Sequence, residues 1–428
     1  MSSPQPYHTM LTSAVTHKHM EDLIQKVNPQ LSSETGWSLR RVVLSKDAIS
    51  STSQDVVLWT QYSEESSSPG NPAHYYGMVL SKTNTEGISN TGEQDDETES
   101  SSTNQLLISF YLAYSTWDGR CLHVDQFPSR EECPATVKPV FLLQSLAQLA
   151  IQLGCRRVLW MQKGDPNWSF VVNDGLTPTD GSSSKTSNVI KPETLDEWLI
   201  LKLDRKAMES YAGGSSSDNG SQASEPAAEA TGEALDRPTI ETKIQQVCAD
   251  LQSTSSSSLK WRLVLEQSAM GKDTNSIFKL VQGLAEYENE PDAVQCRARD
   301  YQLDGSGSHP LFYCLLLEDT TTTTNTTCGM AFFYFGYTSN DGRFLCLEDL
   351  YLEPAFRQKG GGTLALKALA KIGMALECSY LLWTALDWNQ PALNLYAKMG
   401  AVVQDGLKIS RYKDEELLRF ANAGISKS

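Results

Sequence analysis

The chain is written twice. FYLAYSTWDGR (Phe110–Arg120) and FYFGYTSNDGR (Phe333–Arg343) align without a gap at an offset of 223 residues. The same offset carries GCRRVLW onto ECSYLLW, so that Trp160 meets Trp383. Further upstream, MEDLIQKVNPQL (Met20–Leu31) parallels IETKIQQVCADL (Ile240–Leu251), and SLRRVVL from Ser38 parallels SLKWRLVL from Ser258 with one insertion. An offset that stays constant over strand-like and turn-like segments alike means two copies of one fold. We therefore expect a domain over 20–208, a flexible linker over 209–238 and a second domain over 239–425. The linker core, YAGGSSSDNGSQASEPAAEATGEA (Tyr211–Ala234), offers too little apolar surface to fold. Two shorter polar tracts, Thr91–Thr103 and Thr320–Thr327, read as solvated loops at equivalent places in the two copies.

Each copy reads as α/β. In the second, SIFKLVQGLAEY (Ser276–Tyr287) has helical spacing at Ile277, Leu280, Val281 and Leu284. PLFYCLLLE and CGMAFFYFGY are strand-like, SNDG signals a hairpin turn, and RFLCLEDLYLEP is a strand that stops at Pro354. A helix follows with Leu366, Leu369, Ala370, Gly373 and Met374 on one face, then the strand SYLLWTAL. The short helix QPALNLYAKMG has Pro391 near its start and Gly400 at its end.

The 428 residues are 40% hydrophobic, and the net charge of −16 argues against a nucleic-acid partner while suiting a cationic one. Nine cysteines, an odd number without CxxC spacing, argue against a disulfide framework or a zinc site and for a reducing compartment, the cytoplasm. The six histidines, His17 and His19 among them, lie near no metal-ligand cluster and read as surface residues. The first twenty residues have no apolar core of a secretory signal, and no run reaches the length of a membrane span.

RQKGGG (Arg357–Gly362) stands between a strand and a helix. The first amides of a helix have no internal partners, and the dipole adds positive charge there. Glycine lets a phosphate approach the backbone and permits positive φ. No GK[ST] follows, so this is not a P-loop, and no ribose-binding acid is placed for a dinucleotide fingerprint. The first copy is an internal control. At the 223-residue offset Arg357 falls on Pro134, Gly360 on Val137 and Gly362 on Pro139. The fold therefore does not require the glycines, and their retention in one copy points to function.

LVQGLAEYENEPD, DGSGSHPLFYCLLLE, LEDLYLEPAFRQKGGG and LDWNQPALNLYAKMGA, in this order, make the second copy resemble the GNAT-superfamily N-acetyltransferases, above all the spermidine/spermine (diamine) and thialysine acetyltransferases. The resemblance covers about Leu259 to Ala421, and the first copy shares it through the repeat. It implies two tandem GNAT folds, each a mixed, mostly antiparallel sheet flanked by helices, the N-terminal one degenerate. It implies acyl transfer from acetyl-CoA to a small amine, with no metal. Glu348 matches the family's base and Tyr396 the acid near the sulfur. Leu350, Leu352, Arg357, Gln358, Lys359, Gly360, Gly361, Gly362 and Asn389 match cofactor-binding positions. Tyr287, Glu288 and Asp349 match substrate positions, and both members of the Glu348–Asp349 pair can reach one cleft only across a bulge. The diamine enzymes carry a tryptophan in a late GW segment, where this chain has Leu407; the first copy has Trp198 there.

The expected activity is an acetyl-CoA-dependent N-acetyltransferase acting on a polyamine, diamine or lysine-like amine. The degenerate copy would stand in for the second subunit of a homodimer as an intrachain pseudo-dimer. The alternatives are a non-catalytic acetyl-CoA or polyamine sensor or scaffold, and a protein N-acetyltransferase.

Overall fold

The computed structural model describes residues 13–35, 37–42, 75–82, 105–128, 132–133, 137–163, 172–173, 189–213, 236–253, 257–308, 310–321 and 326–423. The N-terminal stretch up to residue 12, the tract 91–103, Pro134, linker residues 214–235 and Thr322–Asn325 lie outside these. In chain order the first repeat runs α1 (Ser13–Thr35), β1 (Trp37–Val42), β2 (Tyr75–Lys82), β3 (Gln105–Ser115), β4 (Gly119–Gln126), α2 (Pro139–Gln152) and β5 (Arg157–Lys163). Three two-residue strands follow, β6 (Val172–Asn173), β7 (Val189–Ile190) and β8 (Glu193–Thr194), then β9 (Trp198–Asp204) and α3 (Arg205–Gly213). The second repeat runs α4 (Arg237–Ser253), β10 (Leu259–Leu263), α5 (Glu266–Tyr287), α6 (Ala298–Asp304), β11 (Tyr313–Asp319), β12 (Thr326–Thr338), β13 (Gly342–Leu352) and α7 (Gly361–Ala375). It ends with β14 (Tyr380–Leu386), α8 (Gln390–Lys398), β15 (Val402–Val403), β16 (Leu407–Lys413) and α9 (Asp414–Asn422).

Two mixed, mostly antiparallel sheets result. Their strand orders are β1-β2-β3-β4-β5-β16-β8 and β10-β11-β12-β13-β14-β9-β15. Only β4–β5 and β13–β14 pair in parallel within them. The sheets do not respect the repeat boundary. Strand β9 of the first repeat lies antiparallel on β14 of the second, from Trp198↔Leu386 to Asp204↔Tyr380. Strand β16 of the second lies on β5 of the first, from Leu407↔Lys163 to Lys413↔Arg157. The domain division 20–208 and 239–425 is thus a division of sequence; each sheet is completed by the other repeat. The linker expected from 209 is also shorter at both ends, since α3 continues to Gly213 and α4 starts at Arg237. Helix α5 starts at Glu266, well before Ser276, where the polar run EQSAMGKDTN hides the apolar period.

The terminal helices follow their strands across. Gln144 of α2 donates from Nε2 to the carbonyls of Phe420 and Ala423 at 2.9 and 3.1 Å, and Gln148 donates to Ala421 at 2.9 Å. Tyr412 stacks on Phe420 at 4.1 Å between centroids. One apolar core draws on both repeats, with Tyr114 4.7 Å from Phe312 and Tyr111 edge-on to Phe344 at 5.7 Å. A second core lies between the β10–β15 sheet and helices α3, α4 and α7. Arg120, 6% exposed, is paired with Asp304 at 2.7 Å and donates to the Leu153 carbonyl at 3.1 Å. Its repeat equivalent, Arg343, keeps the matching carbonyl bond to Leu376 at 2.8 Å.

Because the core is shared, the halves are expected to unfold together. Arg120→Ala leaves the Asp304 carboxylate buried without its cation and should lower stability by about 3 kcal/mol. Urea titrations followed by tryptophan fluorescence and far-ultraviolet circular dichroism should give one coincident transition, displaced to lower urea in the variant.

Candidate active site

The glycine loop is built by strand β13 running out at Leu352. A single 3-10 turn, Pro354–Phe356, reverses the chain, and Gln358 and Gly360 both take positive φ, 60° and 83°. Gly360 is the N-cap of α7, in the left-handed region that glycine enters at little cost. Gly361 is bare for a different reason. A Cβ there would meet Leu352 Cδ2 at 2.8 Å and Leu317 Cδ2 at 3.1 Å, so the helix start is pressed against the sheet. At Gly362 the nearest atom would be Leu395 Cδ2 at 3.4 Å, an ordinary contact. The donor set of this turn, free amides at a helix start, suits an anionic group such as a diphosphate. The equivalent place in the first repeat is filled. Val137 is buried, and α2 starts with Pro139, which has no N–H.

Arg357 does not stand free at the rim. Its Nε donates to the Leu352 carbonyl at 2.9 Å, and its guanidinium lies over the rings of Tyr287 at 4.7 Å and Tyr351 at 5.5 Å. Lys359 lies over Phe356 at 5.1 Å. Asn389 caps α8, its side chain accepting from the Ala392 amide, and Oδ1 also accepts from the Tyr287 hydroxyl at 3.2 Å. Tyr287 thus ties the loop to α8. Leu350 and Leu352 are half-buried against the second core.

The acidic pair sits on a bulge. Phe332 pairs with Asp349 and Phe333 with Leu347, so Glu348 is the extra residue on β13 and both carboxylates reach one cleft. The first repeat bulges at the same place, with Ser109↔Gln126 and Phe110↔Val124 around Asp125. A cavity of about 670 Å³ opens in front of Glu348, Asp349 and Glu288. The first repeat lines it too, with Ser115, Trp117, Arg157 and, through the exchange of β9, Trp198. The tryptophan absent at Leu407 therefore reaches this cavity from the other copy. The loop Arg357–Gly362, Asn389, Tyr287 and Tyr396 are not among the lining residues. Tyr396 packs edge-on against Trp383 at 5.1 Å, and Trp383 lines the cavity.

The carboxylates are unequal. Burial raises Glu348, and Arg157 and a bond from Ser115 pull it back. Asp349 is held well above its usual range by burial, then by the charges of Glu348 and Glu288, although the Thr116 hydroxyl donates to its Oδ2. Glu288 is pushed up to about 7 by burial and by Glu348. Both members of the bulge pair are held above their ordinary range, Asp349 the further, so Glu348 is the one that ionises more readily. Burial, then Glu288 and Asp349, raise Tyr396, which keeps its phenol protonated.

Sequence reasoning missed the wall from the first repeat. Thr116, Trp117 and Arg157 carry no motif, and only the exchange of strands could have pointed to them. The histidines need correction too. His123 is 5% exposed, stacked on Tyr111 at 4.6 Å, and burial lowers it to about 3. It is a neutral imidazole on the cavity wall, on the central strand β4, whose residues are buried from Gly119 to Val124. All nine cysteines are buried free thiols.

Comparison with known proteins bears on this site. The model of the Acetyltransferase (GNAT) family matches residues 277–401. The thialysine N-epsilon-acetyltransferase of Sus scrofa is 34% identical over 165 residues, 37% of this chain and 97% of that protein. That of Bos taurus is 31% identical over the same shares. The spermidine/spermine N(1)-acetyltransferase-like protein 1 of Homo sapiens is 36% identical over 155 residues, which cover 35% of this chain and 22% of that protein. Among solved structures, a tandem GNAT protein from the clavulanic acid biosynthesis pathway covers 98% of this chain and 99% of its own, at 12% identity and a TM-score of 0.38. With relatives matched over nearly their whole length by the repeat that carries the glycine loop and the bulged acidic pair, the chain belongs to the GNAT family of acetyltransferases and is an acyltransferase of two tandem GNAT folds.

Proposed function

We propose that the protein transfers an acetyl group from acetyl-CoA to a small primary amine, a polyamine or a lysine-like diamine, and that the second repeat carries the chemistry. The observation that carries this reading is the convergence of Glu288, Glu348 and Asp349 on one cavity, in the repeat that also has the bare helix start at Gly360. The names of the relatives agree with an amine: spermidine/spermine, thialysine and, for a protein of Arabidopsis thaliana, L-ornithine. The amides following Gly360 would hold the diphosphate of CoA, which when bound supplies an activated thioester. Free thiols fit a cytoplasmic setting, and the exchanged strands fit an intrachain pseudo-dimer.

An ammonium is no nucleophile, so a proton must leave it first. Glu348, the member of the pair that ionises more readily, receives that proton directly or through water. Glu288 and the cavity's other carboxylates attract the cationic chain. Tyr396, kept neutral by burial, donates its phenolic proton toward the departing sulfur.

The full chain mixed with acetyl-CoA and spermidine, putrescine, thialysine or lysine should release free thiol with at least one amine. Glu348→Gln and Tyr396→Phe should each lower kcat by about 100-fold or more with CoA affinity retained. CoA binding without thiol release on any amine would favour a sensor.

Glu288 yields a second expectation. Below its ordinary value of 4.5 the group is protonated folded and unfolded alike; between 4.5 and about 7 only the folded chain keeps the proton. Its contribution to stability therefore falls as pH rises through that window and levels off above it. Glu288→Gln should flatten this slope, raising Tm relative to the parent more at pH 8 than at pH 5.

A further inference from the structure

The cation nearest the proposed base comes from the repeat that lost the glycine loop. Arg157 Nη2 stands 3.5 Å from Glu348 Oε1. The same guanidinium meets Asp118 Oδ2 at 3.2 Å through Nη1 and donates to Cys121 Sγ at 3.0 Å through Nε. Asp118, 2% exposed, meets Lys413 Nζ at 2.8 Å on its other oxygen. Three adjacent strands fix this chain of charges. Arg157 opens β5, directly opposite Cys121 on β4 and Lys413 on the exchanged β16. The order Lys413–Asp118–Arg157–Glu348 thus crosses between the repeats twice.

The pseudo-symmetric site is again a control. There Asp125 takes the place of Glu348, and Tyr380 and Asp204 take the places of Arg157 and Lys413. Asp125 is met by neutral donors, the Tyr75 hydroxyl at 2.7 Å, Ser109 Oγ at 3.1 Å and the Ser339 amide at 3.0 Å. The fold closes equally well without the cationic chain, which accompanies only the site that has the glycine loop.

We propose that Arg157 is a positioning residue of the first repeat that keeps Glu348, and not its neighbour Asp349, the ionised and correctly turned carboxylate of the pair. The proposal rests on the assignment of Glu348 as the proton acceptor. The groups facing Glu348 explain why a cation is needed. Asp349 follows it on β13, Glu288 ends α5, and Asp118 sits in the β3–β4 turn, so three carboxyls oppose its charge. Cys121, Cys346 and Tyr334 also face it, all kept protonated by burial, and Ser115 donates one hydrogen bond. Arg157 is the direct counter-charge in this set, and Lys413 reaches Glu348 only through Asp118. Burial works against Asp118's own charge, yet Arg157 and Lys413 outweigh it and hold the carboxyl below its ordinary range, which keeps it fit to anchor the guanidinium.

The test uses the full-length protein and the amine that gives the highest turnover. Arg157→Met should move the acid limb of the kcat/KM–pH profile up by about one unit or more, costing about tenfold on the acid side of the parent's limb and little well above it, with KM for acetyl-CoA unchanged. Arg157→Lys should restore most of the profile. Because Arg157→Met strands the buried Asp118, the double variant Arg157→Met with Asp118→Asn is measured alongside and should show the same displacement. A loss that is uniform with pH, or a profile superimposable on the parent's, would overturn the proposal while leaving amine acetylation intact. Should the parent acetylate none of the amines, the assignment of Glu348 as base falls. The carboxyl titration of Glu348, followed by carbon-13 NMR with Glu348→Gln to identify the signal, then decides whether Arg157 controls its ionisation: an upward shift in Arg157→Met supports it, and an unmoved titration refutes it.

Discussion

Strands β5 and β14 each need a partner that their own repeat does not supply. In both sheets the parallel pair, β4–β5 or β13–β14, lies near the middle, and the next ladder outward is made by the other repeat's terminal strand. An unpaired ladder in that position would leave a row of amides and carbonyls without partners and an open edge prone to non-native pairing. Neither half can therefore finish its sheet alone. The cavity between the halves is a product of folding, with walls fixed by the same hydrogen bonds that complete the sheets. Joining the two copies in one chain turns what would be association into an intramolecular step.

That arrangement permits asymmetry. In a symmetric pair of identical subunits each site must use the same residues for its own machinery and for its neighbour's wall. Here the two jobs have come apart. The first repeat has lost the free amides at the start of α2, where Val137 and Pro139 stand, yet it lends Thr116, Arg157 and Trp198 to the other site. The second repeat keeps Gly360 and the Glu348–Asp349 bulge, and lends Lys413 in return. Charge is shared between the repeats: Asp118, Glu193, Asp196 and Glu197 line the cavity from the first, Glu288, Glu290, Glu348 and Asp349 from the second, and the guanidinium that meets Glu348 comes from the first.

How far the sequence foretold this differs from residue to residue. The repeat, the αL glycine and the acidic pair were legible because each is a local pattern: a fixed offset, a strand–glycine–helix junction, two acids near a strand end. The exchange was not. A strand such as Leu407–Lys413 fits either of two homologous sheets by its alternation, and which sheet it joins is decided by the path of the preceding chain and by the docking of α9 on α2. Arg157 was missed for the same reason, since its meeting with Glu348 depends on that docking. His123 was misread as a surface residue because one polar ring among apolar neighbours says little until its strand is known to be central. Tyr287 and Arg357 were expected at the site one by one, whereas their mutual stacking and the bond from Tyr287 to Asn389 join the loop to α8, a contact that spacing cannot reveal.

The fate of the first repeat's own acidic position completes the physical picture. Asp125 keeps the bulge that Glu348 uses, and burial raises it above the ordinary carboxylate range in spite of its three donors. Those donors close around it: Tyr75 reaches in from β2 and packs on Tyr337 at 4.7 Å, and the β12–β13 turn contributes the Ser339 amide. Three donors crowd its Oδ2, and no cation pairs with it among the described residues. Filling the space with a tyrosine makes it a structural joint between the repeats. The same bulge on the same scaffold thus gives a carboxyl open to the cavity where an arginine faces it, and a packing element where a tyrosine does. What distinguishes the two repeats is therefore less the presence of an acid than what the opposite repeat places in front of it.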